Sequence, residues 1–231
     1  MEWLDNLNPF NSLKVMLWRE HLEGCAKGEY LPPVAVNLDL VNACNFNCHY
    51  CNAWQARQGK KSMPHNLYQT IPKWLHLWGV KAVCLAGGGE STLHEEYVPW
   101  LLAMRENHLE IGVITNGFRL DLLRVETLAR TCRWVGFSVD AGTEEAYAKM
   151  HGLSDGKGLW KVLDNVARLR RTSDQVNKGI DICVKFLIHP YSASSIFEGA
   201  RLAKEAGAKS FHGRPIGWEG FSHPVGIKAP D

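Results

Sequence analysis

Short β-rich runs alternate with helical patterns along nearly the whole chain, and this alternation restricts the fold more than any other feature of the sequence. Six segments read as strands: Val34–Leu40, Ala82–Leu85, Ile111–Thr115, Trp134–Val139, Ile180–Ile188 and Ser210–Arg214. Helical spacing fills the intervals. Leu67, Ile71, Trp74, Leu75 and Trp78 follow the first strand, Tyr97, Leu101 and Met104 the second, and Leu120, Leu123 and Leu128 the third. Leu159, Val162, Leu163, Val166 and Leu169 form the strongest stripe, after the fourth strand, and Ile196–Ala206 follows the fifth. Strand–helix alternation of this kind builds a parallel sheet covered by helices. Eight such units close a full barrel. Six predict an α/β fold with a parallel sheet, a partial (β/α)6 TIM-like open barrel. The near-continuous apolar run of the fifth strand predicts burial on both faces.

With 231 residues, 45% of them hydrophobic, the chain has enough material for one sizeable core. Residues 1–33 read as a helical lead-in, with a helix over 12–27 capped by Asn11 and ended by Gly28. Pro32 and Pro33 bar further helix. Residues 34–216 form the core domain. Residues 217–231, with Trp218, Phe221 and His223, either cover the barrel mouth or begin a longer protein.

Parallel α/β folds place their chemistry at the C-terminal ends of the strands. The informative residues fall there: a cysteine-rich loop after the first strand, glycines after the second, Asn116 after the third and Asp140 after the fourth. The loop reads Cys44-Asn-Phe-Asn-Cys48-His-Tyr-Cys51, a C-x3-C-x2-C spacing. Three thiolates on one short loop can hold three corners of a [4Fe–4S] cluster and leave the fourth iron open. A structural zinc site with His49 as fourth ligand is the alternative, although the adjacency of His49 to Cys48 makes tetrahedral closure awkward. His21 and Cys25, four apart on the leading helix, are a weak second metal candidate. Cys84 and Cys183 lie in strands and read as buried apolar residues.

Composition excludes several classes. Seven cysteines in a chain of this size do not make a secreted disulfide scaffold. The first ten residues lack the basic start and apolar core of a secretory signal, and no apolar run approaches the roughly 20 residues of a membrane span. Both point to a cytoplasmic protein. A net charge of +2 gives no clear nucleic-acid surface. The nine tryptophans read as core residues.

The pattern C-x3-C-x-aromatic-C, with Tyr50 as the aromatic, resembles the signature of the radical S-adenosylmethionine (radical SAM) superfamily. Further matches follow in order: Gly88-Gly89-Glu90 after the second strand, Ile114-Thr115-Asn116-Gly117 after the third, Ser138-Val139-Asp140 and then His151-Gly152 after the fourth, and Arg214-Pro215 ending the sixth. The resemblance spans about residues 34–216. Two positions depart from the usual pattern: Ser91 stands where proline often follows the GGE segment, and His151 stands in place of the usual arginine.

The resemblance implies specific roles. Cys44, Cys48 and Cys51 ligate a [4Fe–4S] cluster whose fourth iron is chelated by S-adenosylmethionine. Gly88, Gly89 and Glu90 bind the cofactor's amino group, with the glycines allowing close backbone approach. Ser138 and Asp140 contact its carboxylate or ribose, Asp140 having helix capping as an alternative. Asn116 either faces the cofactor or makes the Asn-Gly turn. Lys185 points toward the carboxylate or lies along the core edge, and Tyr50 packs near the adenine. A reductant such as flavodoxin or ferredoxin is implied as partner, and the expected activity is reductive cleavage of the cofactor to a 5′-deoxyadenosyl radical that abstracts hydrogen from substrate. Three functions remain: an enzyme acting on a peptide or protein, one acting on a small molecule or nucleotide, and a non-catalytic Fe–S or zinc regulator. The intact GGE segment argues against the last.

Overall fold

The computed structural model describes residues 10, 18–55, 61–176 and 179–216. The expected cap Asn11, the start of the leading helix and the closing segment 217–231 lie outside these residues. Thirteen main elements follow in order: α1 (Arg19–Ala26), β1 (Ala35–Leu38), α2 (Ile71–Trp78), β2 (Ala82–Leu85), α3 (Tyr97–Glu106), β3 (Glu110–Thr115), α4 (Leu122–Thr131), β4 (Trp134–Ser138), α5 (Glu144–His151), α6 (Gly158–Gln175), β5 (Asp181–Ile188), α7 (Ile196–Glu205) and β6 (Ser210–Pro215).

All six strands lie in one sheet in the order β1-β2-β3-β4-β5-β6, and each neighbouring pair is parallel. The expected six-unit α/β architecture is present, and β1 and β6 are its two edges. Among the described residues no helix is long and apolar enough to cross a membrane.

The side chains of each strand alternate between two faces. Val83, Leu85, Ile111, Val113, Val135, Phe137, Ile182 and Val184 face the helices and join Tyr97, Trp100, Leu128, Val162 and Val166 in one core. The stripe on α6 is buried as its spacing predicts. Each such side chain removed from water contributes about 1.5–3 kcal/mol. The opposite strand face is the concave interior. There Trp134 fills the floor, because Gly112 and Gly136 leave room for its indole: a Cβ at either position would come within 2.6 Å of it.

Four expectations need correction. Strand β5 is not buried on both faces: Ile182, Val184 and Phe186 are buried, whereas Cys183, Lys185 and Leu187 are half-buried, because the interior of an open barrel is solvated on that side. Strand β1 ends at Leu38, so Asp39 and Leu40 belong to the loop. Trp74 and Trp78 on α2 are 65% and 58% exposed, which places them off the core stripe. Leu123 is also exposed, and Val125 takes the buried position on α4, because Asp121 caps that helix by accepting from the Arg124 N–H and so sets its phase.

Candidate active site

A cavity of about 570 Å³ opens at the C-terminal ends of the strands. The three cysteines of the loop line it, together with Gly89, Glu90, Asn116 and Ser138, and Leu187 and Arg214 form its opposite wall. The loop is pressed from two sides by glycine. Gly89 lies flush on the cysteine loop, where an added Cβ would overlap the Ala43 carbonyl. Gly152, at a φ of +62° as the C-cap of α5, leaves no space for a Cβ beside the Asn47 carbonyl.

Glu90 is 4% exposed, and both carboxylate oxygens are engaged. One accepts from the Thr115 hydroxyl at 2.7 Å and the Thr92 hydroxyl at 2.8 Å. The other accepts from the Asn116 N–H at 2.7 Å. Glu90 therefore ties the end of β2 to the end of β3. It caps the short 3-10 turn Ser91–Leu93 as well. Its carboxylate is a strut that holds the glycine segment at the cavity. Asp39, which sequence reasoning missed, accepts from the Gly88 N–H at 2.9 Å and pins that segment from the β1 side. Gly88 itself does not line the cavity, whereas Gly87 and Gly89 do.

Asn116 makes the turn and also reaches the cavity. Its side-chain carbonyl accepts from the Phe118 N–H at 3.0 Å, which makes the turn, and its amide donates to Asn45 of the cysteine loop at 2.8 Å. It also lines the cavity.

Asp140 and Lys185 do not line the cavity. Asp140 is 1% exposed and has a φ of +56°. Its carboxylate accepts from the Tyr50 hydroxyl at 2.6 Å and from the Leu187 N–H at 2.7 Å, joining the cysteine loop to β5. Burial pushes its pKa up, against the pull of His151, Tyr50, the Leu187 N–H and Lys185. It does not cap α5, whose first turn is capped by Thr143 accepting from the Ala146 N–H. The Lys185 side chain crosses Gly136 and brings its ammonium to 5.4 Å from the centre of the Trp134 ring. Its position is thus on the floor, because the indole offers a π face there.

His151 stands against the cluster loop. It is 1% exposed, its Nε2–H donates to the Val139 carbonyl at 2.9 Å, and its Nδ1 lies 3.2 Å from Cys48 Sγ and 3.3 Å from the Tyr50 hydroxyl. Burial holds its pKa below the ordinary histidine value. In that neutral tautomer Nδ1 carries a lone pair toward the Cys48 thiol.

The donor set fits a cluster. Burial pushes the Cys48 thiol up strongly, and Cys44, Asp140 and Cys51 raise it further. A buried thiol with two more beside it suits a group that brings positive charge and displaces their protons. Among the described residues no set of three or more His, Cys, Asp or Glu is gathered around a single metal-ion position. Three thiols around one cavity can supply three ligands to an iron–sulfur cluster.

These features gather three thiols and a glycine segment on one cavity at the strand ends of an open α/β barrel. The sequence matches the Radical SAM superfamily over residues 38–182, and the chain belongs to that superfamily, whose members use a [4Fe–4S] cluster and S-adenosylmethionine. It is 25% identical over 165 residues to a probable GTP 3′,8-cyclase of Pyrococcus abyssi, covering 71% of this chain and 48% of that protein. It is 27% identical over 192 residues to the PqqA peptide cyclase of Gluconobacter oxydans, covering 81% and 51%. The crystal structure of Streptococcus suis SuiB bound to precursor peptide SuiA shares the fold, with a TM-score of 0.69 at 18% identity, covering 92% of this chain and 46% of that one. The chain spans about half the length of the curated relatives it matches.

Proposed function

We propose that this chain is the catalytic core of a radical SAM enzyme acting on a peptide or protein. The observation that carries the reading is the convergence of three cysteine thiols and the Gly87–Glu90 segment on one cavity of about 570 Å³. That volume falls in the range of ligand sites. Likeness to a peptide cyclase and to the fold of a peptide-bound enzyme supports the peptide substrate.

In this reading Cys44, Cys48 and Cys51 hold the cluster. Backbone carbonyls of the Gly87–Glu90 segment accept from the cofactor's ammonium, and the Glu90 carboxylate keeps them in place. Ser138 and Asn116 contact its carboxylate or ribose, and Tyr50 lies beside the adenine with its hydroxyl fixed by Asp140. The bound cluster and cofactor supply a carbon radical after one-electron reduction by a donor such as flavodoxin or ferredoxin. The protein excludes water and orients the substrate carbon. Cysteines that form no disulfide at the site suit a reducing compartment such as the cytoplasm.

The likeness to a GTP cyclase supports a second reading, a nucleotide substrate. Anaerobic reconstitution with iron and sulfide, followed by dithionite and S-adenosylmethionine, tests the core reading. 5′-Deoxyadenosine above a Cys48→Ala control supports it, and none from the fully loaded protein overturns it. Stimulation by nucleoside triphosphates but not by peptide libraries would replace the peptide reading with the nucleotide one.

A further inference from the structure

A second cavity of about 530 Å³ lies behind the cysteine loop, and Phe46 is a wall of both cavities. Three cations line this second groove: Arg119 from the β3–α4 loop, and Lys157 and Lys161 at the start of α6. Its one carboxylate, Asp155, is turned onto the backbone, accepting from the Lys157 N–H at 3.0 Å. Lys161 is held in place by the Phe118 ring, 3.9 Å from its ammonium. None of the three cations has an ion-pair partner among the described residues. Several exposed cations elsewhere on the molecule are paired, by contrast: Arg168 with Asp164, Lys149 with Glu145, and Arg201 with Glu198 and Glu205. The first turn of α6 also has no acidic residue and no side-chain cap. Like charges gathered in one concavity focus the field on an incoming anion.

We infer that this groove binds an acidic segment of the substrate polypeptide while the residue to be modified enters the strand-end cavity. The inference rests on the peptide reading above. Each cavity alone has the volume of a small-molecule site. A small substrate is served by one of them, whereas an extended chain passing Phe46 uses both. The carboxylates of the peptide replace the missing partners of Arg119, Lys157 and Lys161.

The test uses the whole chain and a fluorescein-labelled hexaglutamate peptide, read by anisotropy at low salt, with hexaserine as control. Hexaglutamate binds and hexaserine does not, and added salt weakens the binding. Lys161→Glu weakens it by about tenfold, Arg119→Glu by a similar factor, and Lys204→Glu, the same charge change on α7, by less than about twofold. Both groove positions are exposed, and matching melting curves verify folding. Equal binding by wild type and Lys161→Glu, an equal loss in Lys204→Glu, or no hexaglutamate binding overturns the inference. Inorganic triphosphate bound in the groove without hexaglutamate binding overturns it in favour of a phosphate ligand. Anisotropy needs neither cluster reduction nor cofactor cleavage, so its failure is read separately from a failure to form 5′-deoxyadenosine.

Discussion

The cavity wall above β1 to β4 is tied by buried hydrogen bonds, whereas the wall above β6 is exposed and carries Arg214, which has no ion-pair partner among the described residues. On the first side Glu90, Asn116 and Asp39 each join two separate segments. On the second, among the described residues β6 pairs with β5 alone, along the open edge. The difference separates two tasks. A cluster and its chelating cofactor need fixed geometry, which requires side chains locked by their neighbours. A rim that meets substrate can vary without disturbing that geometry.

The sharpest way to break the comparison is Cys48→Ala. Iron and sulfide bound after reconstitution should fall to near zero, and 5′-deoxyadenosine should vanish; retention of the full cluster would show that the loop does not hold it. Glu90→Ala is expected next. It leaves the Asn116 N–H and the Thr115 hydroxyl buried without an acceptor, at about 1–3 kcal/mol each, so urea unfolding should show a loss of at least about 2 kcal/mol. An unchanged midpoint would mean that the wall is held otherwise. Tyr50→Phe removes one hydrogen bond to a buried carboxylate and should cost about 1–2 kcal/mol by the same measurement. It should leave the iron content intact.

Arg214→Gln probes the open side. Its stability should stay within about 0.5 kcal/mol of wild type, and a larger loss would place β6 in the locked half. The smallest effect concerns His189, just beyond β5, which is 4% exposed and whose Nδ1 accepts from the Tyr191 N–H. Burial and then His49 hold its pKa below the ordinary value. A group with a depressed folded pKa contributes stability that is present above its unfolded pKa and lost as pH falls. Between about pH 7.5 and about pH 5.5, His189→Gln should therefore lose less thermal stability than wild type; equal slopes would remove His189 from the acid response.

Much of the fold is legible from local pattern. The stripe Leu159, Val162, Leu163, Val166 and Leu169 repeats every three to four residues, so a single buried face follows from helical geometry alone. Trp74 and Trp78 have compatible spacing and are nonetheless exposed, because helical period does not say what a face packs against. The site divides in the same way. The three cysteines are close in sequence, and one loop brings them to one cavity. The tasks of Glu90 and Asp140 were not legible: each takes donors from 25 or more positions away, Thr115 and Asn116 for one, Tyr50 and Leu187 for the other. The Thr115 of the Thr-Asn-Gly run was in view, but a hydroxyl's partner is not written in its neighbours.

By itself, the sequence determined six parallel β/α units and a three-cysteine loop at their ends, because strand period, helix period and ligand spacing are properties of short stretches of chain. Only the tertiary structure decided that Glu90 and Asp140 are struts, that Lys185 lies on the floor against Trp134, and that Arg119, Lys157 and Lys161 share a groove with Phe46. Those relations join residues far apart in the chain, and the packing of the strand ends is what brings them within reach of one another.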